Sequence, residues 1–165
     1  MLVVGASLAG LRTAQALRAL SLGGEITVLG AEVHPPYDRP PLSKRVLTGG
    51  RVAMEPLTGI DEVRATWMLG DPASGLDVDS GTVRARSGAT YRADAIVIAT
   101  GATARPWDVP GSDLLGVISL RTAEDATNLR AALERGARIL VVGGGFVGAE
   151  VAAAARARGC ATEAP

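Results

Sequence analysis

The stretch VVGASLAGLRTAQALR, Val3 to Arg18, decides the fold. A short apolar run from Met1 leads into Gly5, Ser7 and Gly10. Leu8, Leu11, Ala14, Leu17 and Leu20 then recur at near-helical spacing. The pattern predicts a strand, a tight turn and a helix. Gly23 and Gly24 are expected to end that helix, and EITVLG, Glu25 to Gly30, supplies a second β-branched run suited to a buried parallel strand. Met1 to Gly30 therefore read as a βαβ unit.

Towards the other end, VVGGGFVGAE, Val141 to Glu150, repeats the pattern. RILVV, Arg138 to Val142, is expected to be a buried strand, followed by Gly143, Gly145 and Gly148 and a helix from about Val147 to Arg158. Such turns suit a dinucleotide diphosphate, because the N-terminus of a helix offers unpaired N–H groups and about half a positive charge. The first glycine serves the turn, a small middle residue lets the anion approach, and the last allows helix to meet strand. Ser7 takes the middle place in the first copy. Glu32, just past the first unit, is either an acceptor for ribose hydroxyls or a solvated loop carboxylate; it lies slightly beyond the usual spacing of about 20 residues.

The intervening chain carries other signals. Ala31 to Lys44 holds four prolines and reads as a stiff loop. KRVLTG is modestly helical and Ile60 to Leu69 is mixed. Leu76 to Thr100 alternates in a way that predicts two antiparallel strands, with AIVIAT as a buried strand after them. Thr100 to Gly111 is a glycine- and proline-punctuated loop. Thr122 and Asp125 form a capping-box pattern for a helix through Leu129 and Leu133 to about Arg135, which Gly136 stops. The expected class is α/β: a Rossmann-like domain with a parallel sheet plus antiparallel strands over 1–136, then the first strand, turn and helix of a second, truncated Rossmann domain over 137–165.

Composition narrows the function. Hydrophobic residues make up 47% of the chain, with no apolar run of membrane-spanning length and no cleavable leader, so a cytoplasmic protein is expected. Seventeen basic residues balance seventeen acidic ones, which favours neither nucleic acid nor membrane as a partner. A single cysteine, Cys160, rules out a Cys-x-x-Cys pair within these residues and reads as a small apolar residue after a helix. With His34 the single histidine, no metal site is expected. Lys44 is the only lysine in a chain otherwise supplied with arginine, which singles it out as a place for a compact, mobile ammonium.

VVGASLAGLRTAQALR, HPPYDRPPLSK, AIVIATGATARPW, SLRTAEDATNLR and ILVVGGGFVGAEVA, in that order, resemble the ferredoxin reductase branch of the pyridine nucleotide–disulfide oxidoreductases, the reductases of rubredoxin, putidaredoxin and dioxygenase systems. PYDRPPLSK is the most specific element. The resemblance implies that 1–136 is an incomplete FAD-binding domain and 137–165 the start of an NAD(P)-binding domain, the whole being an N-terminal fragment. It carries FAD contacts onto Gly5, Ser7, Leu8, Ala9, Gly10, Arg39, Pro41, Lys44, Ala73, Ala99, Thr100, Gly101 and Arg121. Relatives place an acid where this chain has Ala31, which makes Glu32 the substitute. Gly143, Gly145, Phe146, Val147 and Gly148 would hold the NAD(P)H diphosphate, with Glu150 near the nicotinamide.

Lys44 and Glu150 are expected to approach each other and orient the rings for hydride transfer. The implied reaction is hydride transfer from NAD(P)H to FAD, then one-electron transfer to a ferredoxin or related small iron–sulfur protein. Alternatives are an NAD(P)H-dependent nitrite reductase or other flavin reductase of the same superfamily, and a non-catalytic fragment that at most binds FAD. Glu163 stands at a numerical position for a second ribose acid. Cys160 to Thr162 is too short for a buried strand before it, so Glu163 is not assigned. Without its sheet, the alanine-rich helix after Gly148 is expected to expose apolar surface.

Overall fold

The computed structural model describes residues 1–49 and 54–163 and divides into two compact units, one of 1–38 with 55–102 and one of 39–54 with 103–165. In the first unit, β1 (Leu2–Val4), α1 (Leu8–Ala19) and β2 (Thr27–Leu29) form the expected βαβ unit. β3 (Thr66–Met68) follows, then β4 (Ala73–Asp77), β5 (Thr82–Ala85), β6 (Thr90–Arg92) and β7 (Ile96–Ile98). The parallel sheet runs β3-β2-β1-β7, and β4-β5-β6 make a separate antiparallel sheet.

Alternation along β1 explains its uninterrupted apolar sequence. Val3 joins Leu11 and Ala14 of α1, Ile26, Val28 and Val63 in one cluster, whereas Leu2 and Val4 join Leu29, Val83 and Ala85 in another. Successive side chains point to opposite faces, and both faces are covered, one by α1 and the other by the antiparallel strands. Each fully buried Leu or Val contributes about 1.5–3 kcal/mol relative to exposure.

Four local expectations are corrected here. α1 ends at Ala19 with Leu20 as its cap, rather than at Gly23, with Ser21 in the left-handed region (φ 63°) and Leu22 N–H closing onto the Leu17 carbonyl. The Arg18 guanidinium makes that early stop tenable: it donates to the carbonyls of Leu22, Gly24, Val63 and Arg64 at 2.7–3.0 Å. Three antiparallel strands form instead of two, because the turns at Asp79–Gly81 and Ser87–Ala89 each reverse the chain. The mixed segment also contributes an edge strand, β3, in register with β2. AIVIAT is only half-buried, with Ile98 66% exposed.

The second unit begins inside the proline loop. Pro40–Ser43 is a 3₁₀ turn rather than irregular loop, which its prolines permit because they occupy the first positions, where an N–H has no helical partner. It runs into the single-turn helix α2 (Arg45–Thr48). α3 (Ala123–Glu134) opens on the expected capping box, Thr122 Oγ1 accepting from Asp125 N–H and the Asp125 carboxylate accepting from Thr122 N–H. β8 (Ile139–Leu140), α4 (Phe146–Ala157) and β9 (Thr162–Glu163) then repeat the βαβ order.

RILVV is therefore a shorter and more exposed strand than expected, with Leu140 63% exposed. β9 does form, because Ile139 N–H and Val141 N–H reach the carbonyls of Ala161 and Glu163, both at 2.8 Å. The apolar face of α4 is covered: Val151, Ala154 and Ala155 pack with Leu47, Leu129, Leu133 and Cys160. Residue 136 falls within this unit, since α3 before it and α4 after it share that cluster. Among the described residues, no helix is long and apolar enough to cross a membrane.

Candidate dinucleotide sites and the Lys44–Glu150 pair

The first glycine turn lies at the carboxyl ends of β1, β2 and β7, where ligands of open α/β sheets bind. Gly5 has φ 121°, and a Cβ there would stand 2.1 Å from the Ala99 carbonyl oxygen. At Gly10 a Cβ would stand 1.8 Å from the Gly5 carbonyl oxygen. Both glycines are thus demanded by backbone against backbone, and Ala99 is drawn to the turn by its own N–H bond to Val4 O at 2.7 Å. Thr100 and Gly101 continue from it.

Ser7 is the extended N-cap residue of α1, and its hydroxyl makes no capping bond. Leu8, Ala9 and Gly10 begin the helix, so their N–H groups have no partner within it. Small residues, helix-end donors and an uncommitted hydroxyl together suit a diphosphate. Glu32 is half-buried, and Tyr37 donates its hydroxyl to Glu32 Oε2 at 2.5 Å, which steadies the carboxylate past β2. Nothing in the sequence around Tyr37 had pointed to that role. Ala73 opens β4, exposed and beside an irregularity of the β4–β5 ladder.

The second turn reproduces the first. Gly143 has φ 110°, and a Cβ at Gly148 would stand 2.5 Å from the Gly143 carbonyl oxygen. Nothing lies within 4 Å of a Cβ at Gly144 or Gly145, so the approach to α4 is open. Gly145 is the N-cap, and Phe146, Val147 and Gly148 supply the unpaired N–H groups, with Phe146 92% exposed. Glu163 is the last residue of β9, placing an acid at the end of the second strand of this βαβ repeat. Spacing points to it, and the strand that carries it is only two residues long and is not fully buried.

Elsewhere in the second unit, Lys44 Nζ lies 3.0 Å from Glu150 Oε2 and also donates to the Pro40 carbonyl at 3.1 Å. The expected approach of these two residues, far apart in sequence, is present. The 3₁₀ turn delivers Lys44, and α4 delivers Glu150 from its second turn. Ser43, to which the sequence assigned no role, donates its hydroxyl to the same Oε2 at 2.5 Å. The Ser43 hydroxyl first and the Lys44 ammonium second hold the Glu150 carboxyl below the usual range, against a smaller opposing effect of desolvation. Arg39 donates from Nη1 to the Arg121 carbonyl at 2.9 Å, so these two residues are brought together, while Pro41 lies within the 3₁₀ turn and its carbonyl accepts from Lys44 N–H.

Two glycine turns, each opening a helix from the end of a parallel strand, define an α/β protein of the dinucleotide-binding class. Residues 1–163 match the family model described as pyridine nucleotide-disulphide oxidoreductase, and the chain belongs to that family. It is similar to the ferredoxin reductase component of chlorobenzene dioxygenase from Cupriavidus sp. (strain PS12), 44% identical over 162 residues that make up 96% of this chain and 40% of that protein. It is also similar to rubredoxin-NAD(+) reductase from Ectopseudomonas oleovorans, 40% identical over 94% of this chain and 41% of the relative. Among solved structures, the ferredoxin reductase for the CYP199A2 system from Rhodopseudomonas palustris superposes with a TM-score of 0.89 at 33% identity, covering 99% of this chain and 41% of that one. The chain thus spans about two fifths of the length of these proteins.

Proposed function

We propose that this chain carries the FAD-binding and NAD(P)H-binding entrances of an oxidoreductase that passes electrons to a ferredoxin-type iron–sulfur protein. The observation that carries the reading is the duplicated turn: Gly5 with Gly10 and Gly143 with Gly148 have the same backbone approach, and one dinucleotide needs only one of them. Relatives named as ferredoxin and rubredoxin reductases support the reaction class and the partner.

In this reading the N–H groups of Leu8, Ala9 and Gly10 and the Ser7 hydroxyl hold the FAD diphosphate, with Glu32 accepting from ribose. Ala73, Ala99, Thr100 and Gly101 lie along the same cofactor. Gly143, Gly145, Phe146, Val147 and Gly148 hold the NAD(P)H diphosphate, and Glu163 joins the assignment as its ribose acceptor. Lys44 supplies a fixed positive charge where negative charge develops, and Glu150 holds that ammonium in place. The flavin, when bound, converts a two-electron hydride donation into one-electron steps.

The test is direct. Titrating FAD into the purified chain should quench its fluorescence and shift its absorbance, and NADH added without oxygen should bleach the bound flavin. Ser7→Asp keeps a good N-cap residue yet places a carboxylate at the helix entrance. It should lower FAD affinity at least about tenfold, corresponding to about 1.4 kcal/mol, with little change in folding. Equal affinity in this variant would reject Ser7 and the α1 entrance as the diphosphate site.

A further inference from the structure

We propose that Ser43 is a positioning residue for Glu150, its buried hydroxyl fixing the orientation of the carboxylate that pairs with Lys44. Ser43 is 6% exposed, and its hydroxyl proton goes to Glu150 Oε2, the oxygen that also receives the Lys44 ammonium. The two donors differ in rigidity. Lys44 is a long side chain, 54% exposed, and an exposed ion pair of that kind holds its geometry only weakly. Ser43 has one side-chain torsion and sits on a turn whose backbone angles Pro40 and Pro41 constrain. The hydroxyl therefore sets where the carboxylate stands, and the ammonium follows it.

The charged surroundings leave this arrangement simple. From the 3₁₀ turn and α2, Lys44 is the charged group that acts on Glu150, and α4 carries no other charge between Phe146 and Ala155. Glu134 of α3 is engaged with Arg130 at 2.7 Å and Arg158 at 3.9 Å. A hydrogen bond to the charged form of a carboxyl lowers its proton affinity, so the Ser43 contribution is readable as a titration. A serine that serves packing alone would leave that titration to Lys44.

The experiment follows the Glu150 side-chain carboxyl by carbon NMR from neutral to acid pH in the whole chain, the resonance being assigned with Glu150→Gln. Ser43→Ala should move the Glu150 midpoint upward. Ser43→Thr, which keeps the hydroxyl, should restore it. An unmoved midpoint in folded Ser43→Ala overturns the proposal. If that variant fails to fold, Ser43→Cys, with a weak donor of similar size, takes its place: an upward midpoint upholds the proposal and an unmoved one overturns it. The inference rests on the preceding reading only for what the carboxylate serves: a shifted midpoint upholds it even if FAD does not bind, and an unmoved one rejects it even if FAD does.

Discussion

At the scale of single residues, electrostatics concentrates on carboxylates that accept local hydrogen bonds. Glu150 is held low by Ser43 and Lys44, Glu134 chiefly by Arg130, and Asp71 by the hydroxyl and N–H of Ser87. A carboxyl whose folded value is depressed binds fewer protons folded than unfolded. Its contribution is present above the unfolded value and is lost as pH falls through the folded one. Urea midpoints should therefore fall on acidification through and below the ordinary carboxylate range, and Glu150→Gln should show a shallower fall. Parallel profiles would show that Glu150 titrates alike in both states. Lys44 was legible in the sequence because it is the only lysine. Ser43 was not, because serine is common and its partner lies 107 residues away.

Elements were legible wherever their limits are local. The capping box of α3 needed only Thr122 and Asp125, three residues apart, and formed as read. The end of α1 depended on carbonyls of Val63 and Arg64, which no window around Arg18 contains. Charge-assisted bonds to those carbonyls and to Leu22 and Gly24 give Arg18 an outsized place in the first unit. Arg18→Met should cost roughly 1.5–3 kcal/mol, the value of a hydrogen bond to a charged group, measured by urea unfolding. A loss below about 0.5 kcal/mol, the usual range for surface changes, would mean that water replaces the guanidinium without penalty. The 3₁₀ turn was missed for a different reason: four prolines exclude a helix interior but not a first turn.

At the scale of the whole molecule, the buried clusters of the two units share no residue among the described ones. Leu11 is fully buried in the first, against Val3, Ala14 and Val28, and Leu133 is 2% exposed in the second, beside Leu129 and Val151. Truncation of either to Ala should cost about 2–5 kcal/mol. With no shared partner, the double variant should equal the sum within about 0.5 kcal/mol. Calorimetry or urea unfolding of the four proteins checks this, and a larger discrepancy would reveal coupling between the clusters. Activity and partners belong to proteins more than twice as long, so their tests are best made on a full-length relative as well.

What the sequence determined by itself is the α/β class, the two glycine turns and Lys44 as a candidate, whereas Glu150 entered through the family resemblance. Each rests on short-range stereochemistry: a β-branched run, a residue forced to lack Cβ, a helix spacing, or a residue type used once. Tertiary structure alone decided the third antiparallel strand, the edge strand β3, the β8–β9 pairing, the early end of α1 and the Ser43 bond. Except for the antiparallel strands, whose partners are near neighbours in sequence, these depend on distant partners, and a backbone N–H or a serine hydroxyl carries no mark of which acceptor the folded chain will bring to it.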